Sequence, residues 1–156
     1  MSSNASEHPE PAAANAERCG LCAYLDSSPL AGWVYEDDLW KAGIYPTNEV
    51  PGWIALVLRR HAEATSELRE DEARSLGPAL ARLSGAIEQA TGAERVYLQV
   101  YGETFRHWHV LLSARGAEIP LEHRHAAFHP HMAEYVDVPA AAAAGRRIAD
   151  ALAARA

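Results

Sequence analysis

The sequence predicts an α+β domain, because strand-like and helix-like patterns occur in separate blocks along it. Three strand patterns precede one long amphipathic helix, and two more strand patterns precede a terminal helix. Apolar residues make up 49% of the 156 residues, which is enough for a substantial core. Residues 1–18 are polar, rich in Ala and Pro and free of aromatic and β-branched residues. We therefore expect a disordered tail there and a single ordered domain from Cys19 onward.

Three strands are expected before the long helix. Residues 32–36 and 39–45 have short strand patterns, and residues 46–49 (Pro-Thr-Asn-Glu) form a turn. Residues 53–59 (Trp-Ile-Ala-Leu-Val-Leu-Arg) are almost continuously apolar, which is typical of a strand buried on both faces. We therefore expect this strand to be central in the sheet.

An amphipathic helix is expected over residues 71–90. Its apolar residues recur every three or four positions and mark one buried stripe: Leu76, Leu80, Leu83, Ile87 and Ala90. Pro78 lies within this pattern and predicts a kink or a local disruption. Gly92 is a suitable residue just beyond the helix end.

Two further strands and a terminal helix complete the predicted elements. Residues 95–101 and 107–113 alternate apolar and polar side chains, as a half-buried strand does. Pro139 is expected to open a helix over residues 140–156, where the run of Ala favours helix formation.

Charge and composition exclude some functions. With 14 Lys and Arg against 21 Asp and Glu, the chain has a net charge of −7, so nucleic acid and anionic membrane are poor partners. No apolar run approaches the ~20 residues that span a bilayer, and residues 1–18 lack the apolar core of a secretory leader. The two cysteines, Cys19 and Cys22, would close too small a loop for a useful disulfide, so we expect them reduced in a cytoplasmic protein.

The two cysteines form a CxxC motif, which has a metal-binding and a redox interpretation. A redox motif needs a strand-to-helix turn in a βαβ unit, whereas this one follows a polar tail. His61 follows the central strand and His107 opens a later one. Two thiolates and two imidazoles would fill the tetrahedral shell of a structural zinc, and thiolates disfavour Mg²⁺ and Ca²⁺. The alternative is that each histidine is an isolated core or surface residue.

Three segments together resemble the histidine triad superfamily, especially its zinc-containing bacterial members and the related galactose-1-phosphate uridylyltransferases. They are the CxxC motif followed by residues 34–38 (Val-Tyr-Glu-Asp-Asp), residues 51–61 (Pro-Gly-Trp-Ile-Ala-Leu-Val-Leu-Arg-Arg-His), and residues 106–115 (Arg-His-Trp-His-Val-Leu-Leu-Ser-Ala-Arg). The resemblance covers residues 19–115, and residues 116–156 look like the C-terminal extension of some relatives.

The resemblance implies a fold, a metal site and a reaction. The fold is a five-stranded antiparallel sheet packed against helices, often in a homodimer. One structural zinc would be bound by Cys19, Cys22, His61 and His107. His109 would be the nucleophile that attacks an α-phosphate and carries a transient nucleotidyl group, which suits a neutral imidazole near pH 7.

Four positions depart from the family pattern. Leu111 occupies the third triad position, where hydrolases have His and the uridylyltransferases have Gln. Trp53 replaces the His of the family's Pro-Gly-His, Tyr45 replaces an aspartate that holds ribose, and the phosphate-binding loop is shortened to residues 102–106. Losing one such polar contact commonly costs ~2–4 kcal/mol of transition-state stabilisation.

Other side chains are candidates to replace the lost contacts. We expect a small phosphate-containing ligand whose contacts include Tyr45, Trp53 and Leu111 together with new donors. The candidates for those donors are Thr104, Arg106 and Arg115.

Residues 122–131 hold four of the eight histidines: His123, His125, His129 and His131. They would supply an acid, a base or a second metal site, or else form a solvated loop.

Three functions remain open on the sequence. The first is a diverged hydrolase or transferase that moves a nucleotidyl or phosphoryl group through a covalent His109 intermediate. The second is a zinc-stabilised protein that binds a ligand without chemistry, which the apolar Trp53 and Leu111 would permit. The third is an enzyme of another class that uses the same pocket, with His109 as an acid, a base or a metal ligand.

Overall fold

The computed structural model describes residues 19–154, so the predicted tail at residues 1–18 lies outside the described residues, as do residues 155–156. Five strands form one antiparallel sheet in the order β1-β2-β3-β5-β4. They are β1 (Leu30–Glu36), β2 (Trp40–Ile44), β3 (Trp53–Leu58), β4 (Arg95–Gln99) and β5 (His109–Arg115). The predicted α+β class and five-stranded antiparallel sheet are confirmed, and β3 is central as expected.

Three helices accompany the sheet: α1 (Gly20–Leu25), α2 (Glu70–Thr91) and α3 (Val138–Ala153). The predictions for α2 and α3 agree with these bounds to within a few residues, whereas α1 had no sequence prediction. Pro78 lies inside α2 and does not end it, so the predicted local disruption does not interrupt the helix. Short 3₁₀ turns lie at Thr65–Glu67, Leu121–His123, His125–Ala127 and Met132–Tyr135. Among residues 19–154, no helix is long and apolar enough to cross a bilayer.

One face of the sheet is closed by α2 and α3. Ile54, Leu56 and Leu58 of β3 point to this face and form a continuous core with side chains of both helices. Gly145 of α3 lies so close to the sheet that an added Cβ would meet the Cβ of Ala31 and the Cδ1 of Ile44, each at 3.1 Å. This face therefore contains the main hydrophobic core, which fixes the position of β3 and β5.

The opposite face carries two separate apolar clusters. The α1 cluster comprises Leu21, Tyr24, Leu25, Ala55 and Val57, which join α1 to β3. The C-terminal cluster joins the sheet to the segment after β5, and its buried members are Val50, Trp53, Leu111, Ile119 and Phe128. We refer to residues 119–135 as the C-terminal segment. The stretch of β5 around His109 lies on this face, since His109 pairs with Val57 and Leu111 pairs with Ala55.

β5 begins at His109, two residues later than the sequence indicated. The residues before it bond to the chain that leaves β3: the Trp108 N–H donates to the Ala62 carbonyl at 2.6 Å, and Trp108 O accepts from Leu58 N at 3.2 Å. The prediction that His107 opens the strand was therefore wrong by two residues, because the Trp108 N–H bonds to Ala62, beyond the end of β3, and not to a residue of that strand.

A buried ion pair joins α2 to the loop after β3. Glu72 is 1% exposed and accepts hydrogen bonds from Arg60 Nε at 2.9 Å and Nη2 at 2.8 Å. It also accepts the backbone N–H of Arg69 at 2.7 Å, at the start of α2. The bonds from Arg60 lower the pKa of Glu72 below its ordinary value. The pair thereby fixes the loop that leads to His61.

We predict that Glu72→Gln lowers the free energy of unfolding by about 2 kcal/mol at pH 7, because Arg60 loses its charged partner. Since the folded-state pKa is lowered, the carboxylate stabilises the fold above the unfolded pKa of about 4.3 and loses this effect as the pH falls through the folded-state pKa. The difference between wild type and variant should therefore shrink in acid. Urea unfolding at several pH values measures it.

Glu70→Gln is the matched control for this experiment. Glu70 lies in the same helical turn and pairs with Arg74, but its side chain is 77% exposed. Its replacement should change stability by no more than about 0.5 kcal/mol. Equal effects of the two substitutions would contradict the assigned role of Glu72.

Candidate functional site

Three parts of the chain meet at one corner of the sheet. β3 and β5 are antiparallel neighbours, so the end of β3 lies beside the start of β5. His61 follows β3 and His107 precedes β5, and both therefore arrive at this corner. The α1 cluster holds α1 over the same end of β3, which brings Cys19 and Cys22 there as well.

The side chains of these four residues form a group suited to a metal ion. The ligand atoms of Cys19, Cys22, His61 and His107 all lie within 4.8 Å of one another. His107 Nδ1 lies 3.4 Å from Cys19 Sγ and 3.3 Å from Cys22 Sγ, and His61 Nδ1 lies 3.4 Å from Cys22 Sγ. Zinc–sulfur and zinc–nitrogen bonds of about 2.3 and 2.0 Å place tetrahedral S and N ligands about 3.5 Å apart. The donor set and its spacing thus fit zinc.

The imidazole rings are oriented for this role. His107 Nε2 donates to the Leu58 carbonyl at 2.7 Å, which leaves the lone pair on Nδ1, toward the sulfurs. His61 Nε2 lies 3.7 Å from a carboxylate oxygen of Glu63. The two ring planes are nearly perpendicular, at 84°, so their in-plane lone pairs are able to meet at one point.

Burial also affects the protonation of the ligands. Desolvation lowers the pKa of His107, which keeps its imidazole neutral. Burial and the neighbouring Cys19 raise the pKa of the Cys22 thiol to about 11. A bound dication must therefore displace a thiol proton, so metal affinity should fall with falling pH.

His109 lies two residues beyond His107, on the sheet face that carries the two apolar clusters. Its Nδ1 is 2.6 Å from the His107 carbonyl oxygen. Because a carbonyl only accepts hydrogen bonds, Nδ1 carries the proton and the neutral ring keeps a lone pair on Nε2. The residue that supplies this carbonyl is itself one of the four candidate metal ligands.

A cavity of about 290 Å³ opens beside His109, between α1 and the C-terminal segment. Its base includes Ala55 and Leu111, and its walls include Tyr45, Thr104 and His129. Tyr45 and Phe105 form an aromatic wall with ring centroids 5.2 Å apart. Among the described residues that line the cavity none is Lys or Arg, and the two imidazoles are those of His109 and His129.

Three of the six predicted ligand-binding residues line the cavity. Tyr45, Thr104 and Leu111 line the cavity together with His109. Arg106 instead is 79% exposed near Glu63 and lies beside the metal cluster.

Trp53 and Arg115 do not line the cavity. Trp53 is 1% exposed and packs beneath it in the C-terminal cluster. Arg115 pairs with Glu94 at the other end of β5. It lies six positions after His109 on the same strand, which is a distance of about 20 Å.

Sequence reasoning missed several residues of the cavity wall. Asn48, Gln99 and Tyr101 line it, although no sequence motif marked them. Gln99 lies opposite Leu111 in the β4–β5 pairing, which only the register reveals.

A second group with metal-binding side chains lies in the C-terminal segment, formed by His123, His131 and Glu134. Its two imidazoles are stacked, with centroids 3.8 Å apart and planes at 11°. Lone pairs of imidazole nitrogens lie in the ring plane, so two parallel stacked rings do not direct them to one ion. His131 instead bonds to Glu134 at 2.6 Å, and His123 bonds to the Tyr135 hydroxyl.

We predict that the purified protein contains one zinc per chain and that removing it unfolds or strongly destabilises the domain. Binding free energy at a four-ligand site is folding free energy, so we expect a loss of at least about 3 kcal/mol. Cys22→Ser should lose the metal and lower the melting temperature by about 10 °C. Elemental analysis and calorimetry before and after chelation measure both effects.

His125→Ala is the control, because His125 is exposed in the C-terminal segment and distant in sequence from all four ligands. It should retain the metal and the melting temperature. A metal-free protein with an unchanged melting temperature would contradict the site.

No family model matches the sequence, and neither does any curated protein sequence. Solved structures do match the fold. A zinc-bound histidine triad family protein from Mycobacterium smegmatis is 16% identical with a TM-score of 0.68, and the match covers 90% of this chain and 96% of the other.

Two further structures give similar values. A hypothetical histidine triad nucleotide-binding protein from Sulfolobus tokodaii is 17% identical over 87% of this chain and 93% of its own, with a TM-score of 0.68. A Hit-like protein involved in cell-cycle regulation from Bartonella henselae, determined with an unknown ligand, is 16% identical over 84% and 92%, with a TM-score of 0.63. Identities this low establish the fold alone: this chain has the fold of the histidine triad proteins.

Proposed function

We propose that this protein is a diverged histidine triad enzyme that hydrolyses or transfers a nucleotidyl or phosphoryl group through a covalent intermediate on His109. It would belong with the zinc-containing members related to galactose-1-phosphate uridylyltransferases, with His-x-His-x-Leu in place of the triad. One zinc bound by Cys19, Cys22, His61 and His107 would have a structural role, because four protein ligands leave no open position. We keep the expectations of a phosphate-containing small-molecule ligand, a cytoplasmic location and a homodimer, which rest on the sequence.

The hydrogen bond between His109 and the His107 carbonyl carries this proposal. It fixes the tautomer with the lone pair on Nε2, which is the form that attacks phosphorus. When Nε2 bonds to phosphorus the ring becomes cationic, and a bond from Nδ1–H to a carbonyl strengthens as that charge develops. The same interaction thus supports both the attack and the intermediate.

Two hydrogen bonds hold the backbone around His107, and therefore this carbonyl, in place. The His107 ring donates to Leu58, and the neighbouring Trp108 bonds to Ala62. Bound zinc would cross-link this corner to α1. His109 is thereby presented from a rigid support, and phosphoryl transfer depends largely on such positioning.

The cavity is compatible with a nucleotide-like ligand. Its volume of about 290 Å³ is at the lower end of the range for small-molecule sites. The aromatic wall of Tyr45 and Phe105 offers a surface for a planar base, and Thr104 offers a hydroxyl donor. The nucleotide-binding protein from Sulfolobus tokodaii shares the fold, which is consistent with this ligand class.

The apolar base of the cavity favours a second candidate, a protein that binds a ligand without chemistry. Leu111 is 7% exposed and has no polar group at the third triad position. Under this alternative, a nucleotide raises the melting temperature but no product and no adduct forms.

We predict that wild-type protein carries a nucleotidyl adduct on His109 when its reaction with the 5′-(4-nitrophenyl) phosphates of adenosine and uridine is quenched during turnover. His109→Ala should lose the adduct, and its turnover should fall at least about 10³-fold, because the nucleophile is gone. Intact-protein mass spectrometry and nitrophenolate release measure the two effects.

His125→Ala is again the control and should form the adduct at the wild-type rate. Equal turnover in wild type and His109→Ala, with a clean mass spectrum for both, would reject the covalent mechanism.

A further inference from the structure

The C-terminal segment carries a histidine into the cavity. Phe128 is 1% exposed, and its ring packs edge-on against Trp53 with centroids 5.1 Å apart. The next residue, His129, stacks over the same indole at 6.1 Å and 23°, and meets Tyr101 edge-on at 5.6 Å. Phe128 therefore anchors the segment, and His129 lines the cavity together with His109.

This anchoring depends on two of the positions that depart from the family pattern. Trp53 and Leu111 are buried in the C-terminal cluster with Phe128. Where the family pattern has polar side chains, Leu111 is apolar and Trp53 has an indole N–H that does not give up its proton near neutral pH. The same substitutions that remove polar groups from the β3 and β5 side of the cavity thus create the apolar surface on which Phe128 rests.

The chemistry of the cavity leaves one side chain suited to proton transfer besides His109. Among the described lining residues there is no Lys or Arg, and the one carboxylate, Glu103, is exposed to solvent in the loop before His107, whereas His129 is half-buried. Burial raises the pKa of the Tyr45 hydroxyl, which makes it a weaker acid. An imidazole is the group that both gives and takes a proton near neutral pH.

We propose that His129 is the general acid and base of the reaction, in place of the polar groups missing at Trp53 and Leu111. This rests on the proposed function of His109. In the first step His109 Nε2 bonds to phosphorus, the bond from phosphorus to the leaving oxygen or nitrogen breaks, and protonated His129 gives its proton to that atom. In the second step water attacks phosphorus, neutral His129 takes a water proton, and the bond between phosphorus and His109 breaks.

Leaving-group dependence tests this role. One probe is adenosine 5′-(4-nitrophenyl) phosphate, whose leaving group departs as a stable anion. The other is the n-butylamide of adenosine 5′-phosphate, whose nitrogen must be protonated to leave. Release of each leaving group in the first turnover is followed by rapid quench, which isolates the first step.

The central variant is His129→Phe. It keeps an aromatic ring between Trp53 and Tyr101 but removes the imidazole nitrogens that would give or take a proton. First-turnover release from the butylamide should fall at least about 100-fold, and release from the nitrophenyl ester should fall less than about threefold. His131→Ala is the matched control, since His131 lies on the same segment and does not line the cavity. It should leave both rates unchanged, and melting temperatures of all variants should match wild type.

The outcomes separate the two proposals. Loss of both rates in His109→Ala, with selective loss for the butylamide in His129→Phe, supports both roles. If His129→Phe slows both probes equally or neither, His129 is not the acid, although the covalent mechanism stands. If His109→Ala retains wild-type rates, the proposed function fails, and with it the role of His129.

Discussion

Two sulfur atoms and two imidazole nitrogens from three separate stretches of chain meet within 4.8 Å at one corner of the sheet, and the rest of the site depends on that meeting. The corner is where β3 ends and β5 begins. His107 there has a ring directed to the sulfurs and a carbonyl directed to His109. A single residue thus connects the candidate metal site to the candidate nucleophile, and any change in its position moves both.

The two faces of the sheet differ in what covers them. The face under α2 and α3 contains a continuous core that makes β3 and β5 rigid. The other face has two separate clusters with a cavity between them, and His109 lies at the border. One face of the sheet therefore holds β3 and β5 in position, and the other face leaves space for a ligand. The ion pair of Arg60 and Glu72 also restricts the site, because it fixes the loop that carries His61.

Trp53 and Leu111 are the two apolar positions at which the sequence resemblance predicts polar side chains. Both are buried in one cluster with Phe128. This packing places His129 at the cavity wall. The cavity therefore receives an imidazole from outside the five strands, from the segment that follows β5.

Elements whose signal is local could be predicted from the amino-acid sequence alone. The apolar run of β3 and the stripe of α2 predicted those elements closely, because burial imposes a period on the residues themselves. Short α1 lacked such a period. The CxxC motif and the family resemblance together predicted which four residues would form a metal site, and the structure brings those four together.

Which side chains share the cavity depends on contacts that form only when the chain is folded. Arg115 was a reasonable ligand contact by its charge, but strand geometry places it far from His109 and beside Glu94. Gln99 enters the cavity through the register of β4 with β5, and His129 enters through the packing of Phe128 on Trp53. Such neighbours arise from contacts between residues remote in sequence, and no local periodicity encodes them.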